Sequence, residues 1–168
     1  FLEAGGLTPA LKALSADPDS EVRSKALHCI SSSIRDNAAG FAAFVSQNGF
    51  STLASAIRDG DSVLLRRATF LYRSLLEEDN ADVNRAAAAA ADGDGVADMA
   101  AEMIVAADSD VDLVEKCLQL LISLARVQPS ALSAPLRSRL SDSILPSLEH
   151  RTDDQVDPAL LVAIKAAL

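Results

Sequence analysis

Tryptophan is absent from the 168-residue chain, tyrosine occurs once, and aromatic residues make up only 4% of it. Alanine and leucine are abundant instead, which argues for a core of small residues between packed helices rather than the interior of a sheet sandwich. Runs that alternate apolar and polar residues between Asn-Gly turns, the mark of a hairpin, are missing as well. No apolar run reaches the roughly 18 residues that a membrane span requires. Basic residues are outnumbered, giving a net charge of −9. That balance excludes nucleic-acid backbones and anionic membranes as the main partner, since both demand clustered Lys and Arg.

The residues of site chemistry are just as scarce. Cys29 and Cys117 lie far apart, outside any C-x-x-C motif and each inside an apolar helical pattern. They are expected to be buried free thiols of a reducing compartment. His28 and His150 have no Cys or carboxylate partner at ligand spacing, so no metal site is expected. Neither G-x-x-x-x-G-K-[ST] nor G-x-G-x-x-G occurs, and the acidic D-G-D-G at 92–95 would repel phosphate and reads as a turn. Carboxylates such as Asp17, Asp19 and Glu21 fall in breaks and helix starts, where the helix dipole favours them. No cofactor is expected, and no enzyme.

What is present repeats. Gly6, Gly49 and Gly95 each open a helix, in GLTPALKALS, GFSTLASAIRD and GVADMAAEMIVAA. After each comes a polar break, at 16–20, 59–62 and 108–110, and then a longer amphipathic helix. Aligning the longer helices on a small core residue pairs Ala26, Ala68 and Cys117, 42 and 49 residues apart. Val22, Leu64 and Leu113 then match, as do Ile30, Tyr72 and Leu121, and Ile34, Leu76 and Ala125. The basic residues Lys25, Arg67 and Lys116 also coincide. The second offset is lengthened by an Ala-rich stretch at 86–91. Linking helices are predicted at 38–48, 81–91 and 130–140, and a last unit at 142–150 and 154–168. A period of roughly 40–47 residues is the range of two- and three-helix repeats, and three helices per unit favour the armadillo type. The fold expected is all-α, an armadillo-type right-handed superhelical solenoid. It would form one domain over 1–168, with repeats at about 1–37, 38–80, 81–128 and 129–168. The opening FLEAGGLTPAL has no signal-peptide shape and reads as the middle of a longer chain.

Each long helix carries a second stripe opposite its core positions. It comprises Ser24, His28, Ser32 and Arg35 in the first, Arg66, Phe70, Ser74 and Glu77 in the second, and Glu115, Gln119, Ser123 and Arg126 in the third. A purely solvated face is usually dense in Glu and Lys. Small polar residues flanked by Arg and an aromatic suit a wet protein–protein surface. Bland packing stays open beside that reading, because Ser also fits crowded helix faces by being small.

At these residues the chain resembles a family. VRSKALHCISSSIRDN at 22–37, followed by GFAAFVSQNGFSTLASAI at 40–57, is similar to the armadillo-repeat nucleotide exchange factors of the seventy-kilodalton heat-shock chaperone (DnaK class), the cytosolic heat-shock-protein-binding-protein family. Val22, Arg23, Lys25, Ala26, Leu27, Ile30, Ser31, Ile34, Arg35 and Asn37 stand where the family pattern wants them, and Gly40, Phe44, Gly49 and Phe50 continue it. RRATFLYRSLL at 66–76 is similar to the family's second long helix. The likeness covers about residues 1–80, with architecture alone beyond. His28, Ser33 and the poly-Ala stretch depart from the pattern.

The resemblance implies a monomeric, non-enzymatic co-chaperone. Its concave face would wrap one lobe of the chaperone's ATPase domain, wedge the nucleotide cleft open and release ADP. The partner-binding residues would be His28, Ser32 and Arg35, then Arg66, Phe70, Arg73 and Ser74, then Glu115, Gln119 and Arg126. The compartment would be the cytoplasm, with the lumen of the endoplasmic reticulum as the alternative. A generic armadillo scaffold that holds an extended peptide along its groove is the other reading, although such grooves favour a ladder of Asn and Trp that is not found here.

Overall fold

Polar side chains that satisfy the first free N–H groups set where several of the helices begin. The computed structural model describes residues 5–107, 110–150 and 156–168. Its helices are α1 (Leu7–Ala16), α2 (Ser20–Ile34), α3 (Ala38–Ser46), α4 (Gly49–Asp59), α5 (Ser62–Leu76), α6 (Ala81–Gly93), α7 (Val96–Ala106), α8 (Val111–Val127), α9 (Ala134–Arg139), α10 (Leu145–Glu149) and α11 (Pro158–Ala167). Asp19, Asn37, Asn80, Asp110 and Asp157 cap α2, α3, α6, α8 and α11 through their side chains. Asp61 does the same for α5, accepting from the N–H groups of Val63 at 3.0 Å and Leu64 at 2.8 Å. These bonds to the ionised carboxylate, that to Leu64 foremost, hold the Asp61 carboxyl below its ordinary range. No strand occurs among the described residues, so the chain is all-helical.

The helices group into two compact units, residues 1–71 and 72–168, and the boundary falls within α5. In the first unit α1 packs on α2 and α4, α2 on α3, and α3 on α4. Leu7, Leu11, Leu14, Leu27, Ile30, Ile34, Leu53 and Ile57 are buried there. Phe41, Phe44 and Phe50 form an edge-on and stacked cluster with ring centroids 5.1–6.5 Å apart. Two glycines make this packing possible. A Cβ on Gly40 would lie 2.0 Å from the carbonyl oxygen of Ser33, and one on Gly49 would lie 2.2 Å from the Phe44 ring. Gly49 is therefore a packing residue at the first position of α4. The left-handed residue just before α4 is Asn48, at φ 55°.

In the second unit α6 packs on α7 and α8, and α7 on α8. The Ala-rich stretch is core rather than an excursion. Ala87, Ala88 and Ala91 are buried in α6, and the buried Tyr72 hydroxyl donates to the Ala87 carbonyl at 3.2 Å. α11 packs on α8. Arg137 ties the segment before α9 to the end of α11, donating to the carbonyls of Leu132 at 2.8 Å, Pro129 at 2.6 Å and Ala167 at 3.1 Å, and to that of Leu168. Each unit thus packs neighbour on neighbour, as the helices of an α-solenoid do.

The aligned positions behave as one register with one exception. Ala26, Ala68 and Cys117 are buried, as are Ile30, Tyr72 and Leu121, and Ile34, Leu76 and Ala125. Val22, matched to the buried Leu64 and Leu113, is 39% exposed; it sits in the first turn of α2, outside the arc that Ala26, Leu27, Ile30 and Ile34 bury. Two predicted elements also differ. The segment 130–140 is a 3₁₀ turn (Pro129–Ala131) followed by α9, and α9 runs through a π-helical turn (Leu140–Ile144) into α10 without the break expected before 142. Pro146 explains the π turn, since it lacks the N–H that would bond the Asp142 carbonyl. Most of the break at 108–110, and the start of the segment 154–168, lie outside the described residues.

Replacing Gly40 by Ala would push a methyl group into a backbone atom that cannot swing aside. Gly40→Ala is expected to destabilise the first unit by about 1–3 kcal/mol, read as a lower urea midpoint with the far-UV circular dichroism of the folded protein unchanged.

Candidate functional site

Once Ala26, Leu27, Ile30 and Ile34 turn inward, helical spacing sends His28 and Ser32 outward on α2, and both are exposed. The Ser32 hydroxyl donates to the His28 carbonyl at 3.0 Å, within its own helix. Arg35 is exposed and ends the helix in an extended conformation, its N–H still bonded to the Ser31 carbonyl at 3.2 Å. On α5, Arg66 is half-buried and its guanidinium donates to the Ser62 carbonyl at 2.9 Å. Phe70 is 45% exposed. The neighbouring Arg67 is exposed and donates to the Ser24 hydroxyl, which links α5 to α2 inside the first unit. Sequence reasoning used Arg67 only as a mark of repeat register. Its position next to Arg66, one turn from Phe70, was the available signal for a larger role.

The remaining candidates belong to the second unit. Arg73 donates to the Gln119 side-chain oxygen and its Nε lies 3.4 Å from a Glu77 carboxylate oxygen. The Ser123 hydroxyl is 2.6 Å from the other Glu77 oxygen and 2.9 Å from the Gln119 carbonyl. Arg73 and Gln119 are thus brought together, in a network that joins the end of α5 to α8. Ser123, placed by the sequence on the outward stripe, is only 2% exposed, because it shares the inner arc of α8 with Leu120 and Leu124. Glu115 accepts the backbone N–H of Asp157 at 2.9 Å and so anchors the start of α11. Ser74 is half-buried, while Arg126 is exposed in the last turn of α8, where its charge favours the helix dipole.

The two thiols part company. Cys29 is exposed on α2, against the expectation of burial, because Ile30 and not Cys29 falls on the inward arc. Cys117 is buried, and loss of solvation, with a smaller push from the charge of Asp110, raises its thiol to about 12. Among the described residues no three His, Cys, Asp or Glu side chains gather as a metal site would need, and no helix is long and apolar enough to cross a membrane. A cavity of about 370 Å³ is lined by Leu148, Glu149, Val156, Pro158, Leu161, Val162 and Lys165; none of the ten candidate residues lines it.

No protein-family model matches the chain, and no curated protein matches its sequence.

The difference between the thiols is directly measurable. Near pH 8 an aromatic disulfide reagent is expected to modify Cys29 alone in the folded protein. Cys117, still protonated and enclosed, should react only after denaturant is added. Modification of both thiols at equal rates in the native state would contradict this placement.

Proposed function

We propose that the chain is an armadillo-type, non-enzymatic co-chaperone of the cytoplasm that binds the ATPase domain of a DnaK-class heat-shock chaperone and promotes ADP release. The observation that carries the reading is on α2. The residues of the family string that turn inward there are used for packing, while His28, Ser32 and Arg35 remain exposed on the same helix. Other residues of the string form the adjoining joint. Arg23 donates to the Leu14 carbonyl at 2.9 Å, Asn37 caps α3 by accepting the Gly40 N–H at 3.1 Å, and Gly40, Phe44, Gly49 and Phe50 build the tight packing of α3 and α4. A further support is helix length. Nine, eleven and fifteen residues in α3 to α5, and thirteen, eleven and seventeen in α6 to α8, place the longest helix third each time, the order of an armadillo repeat.

Exchange by such a protein requires no reacting group. It binds the open ATPase domain better than the closed, ADP-holding form, and the equilibrium shifts only by that difference, roughly 1.4 kcal/mol for each tenfold. The exposed mixed stripe supplies contacts, and the buried register behind it keeps them in place while the partner opens.

A chaperone ATPase domain loaded with fluorescent ADP provides the test. Adding the chain at micromolar concentration is expected to accelerate ADP release, and the double variant Arg35→Glu, Arg66→Glu to weaken that effect with helical content unchanged. Absence of acceleration by the wild-type chain would reject the proposal, whereas binding without any change in rate would favour a generic peptide-holding scaffold.

A further inference from the structure

On a chain with a net charge of −9, one face of the first unit carries cations around exposed apolar side chains. Val63 and Phe70, 50% and 45% exposed, are seven residues apart and so lie along one side of α5. Arg66 and Arg67 stand between them, about one turn from each. Arg67 reaches α2, where its partner is the Ser24 hydroxyl, a neutral group, and among the described residues it forms no ion pair. One turn beyond Ser24 on α2 is the exposed His28.

The carboxylates of these two helices in the first unit are already engaged. Glu21 pairs with Lys25 at 2.8 Å, an i,i+4 contact in which both side chains are well exposed and which raises the Lys25 ammonium through the hydrogen bond and charge of Glu21. Asp19 accepts the Glu21 N–H at the start of α2, and Asp61 is held by the N–H groups of Val63 and Leu64 at the start of α5. An exposed aromatic and an aliphatic side chain flanking Arg is the composition of an interface anchor, and a cation among them selects a partner of opposite sign.

We infer that the α2–α5 face of the first unit docks an acidic protein surface, a carboxylate of the partner meeting Arg67 while an apolar side chain of the partner covers Val63 and Phe70. The inference rests on the exchange-factor reading, and it names the chemistry that the ATPase domain must present at this face. Val63 and Arg67 lie outside the stripe read from the sequence. The salt dependence of binding is then set by Arg67, since an exposed ion pair is screened by salt and a buried apolar contact is not.

The test compares binding of the isolated chaperone ATPase domain to the wild-type chain and to four variants, by fluorescence anisotropy at low and at high salt. Arg67→Glu is expected to weaken binding by about tenfold or more at low salt and to flatten the salt dependence, and Phe70→Ala to weaken it by about tenfold at both salts. Arg67→Lys should retain most of the affinity. Lys12→Glu, on α1 and outside this face, should change nothing. Wild-type binding that neither Arg67→Glu nor Phe70→Ala alters, or a salt dependence that survives Arg67→Glu, overturns the inference and leaves the exchange-factor reading standing. A wild-type chain that does not bind removes both. Should Arg67→Glu lose its fold by circular dichroism, Arg67→Gln takes its place, with a several-fold weakening expected and unchanged affinity counting against the inference.

Discussion

The carbonyl oxygen of Ser33 occupies the space that any side chain on Gly40 would need, and the Phe44 ring does the same to Gly49. These two approaches bring α2, α3 and α4 close enough for the small aromatic complement of the first unit to close its core. With Phe41, Phe44 and Phe50 gathered in one cluster, the long helices need only Ala, Leu and Ile on their inner arcs. Small residues at the contact let helix backbones come near each other, and that closeness gives dense packing without large side chains. The second unit solves the same problem with alanine. Ala87, Ala88 and Ala91 fill the inner arc of α6, and Tyr72 donates its buried hydroxyl to the same helix.

A consequence is the division of labour around each long helix. When four or five positions suffice for the core, the rest of the surface is free of packing duties, and on α2 it is filled with His28, Ser32 and Arg35 rather than a dense coat of Glu and Lys. The second unit treats its stripe differently. Arg73, Gln119, Glu77 and Ser123 bond to one another, and Glu115 holds the start of α11. Residues committed to such internal bonds have less to offer a partner, because each contact outside must first replace one inside. The first unit is therefore the stronger candidate for recognition.

Helix identity was legible because apolar period and polar breaks agreed: α4 was read from the sequence at its observed bounds, and α6 within two residues of its end. The buried register of Ala26, Ala68 and Cys117 was legible for the same reason. Three features were not. Val22 and Cys29 look apolar in composition, yet, seven residues apart, they lie along one side of α2 just beyond the edge of the narrow inward arc that Ala26, Leu27, Ile30 and Ile34 form. Ser123 looks polar, yet it is buried on the inner arc of α8, where Glu77, just past the end of α5, accepts its hydroxyl; a one-dimensional pattern holds no record of that pairing. Arg67 was visible as a repeated basic position, while its reach to Ser24 depended on two helices meeting.

The claim at the centre of this account is that the outer face of α2 and the adjoining exposed part of α5 form the surface that binds the partner. Hydrogen–deuterium exchange of the chain, alone and with the chaperone ATPase domain, measures this directly. The account predicts slower exchange in peptides from α2 and α5, with those of α1 and α3 unchanged. Protection confined to α1 and α3, with α2 and α5 exchanging as in the free chain, would contradict it.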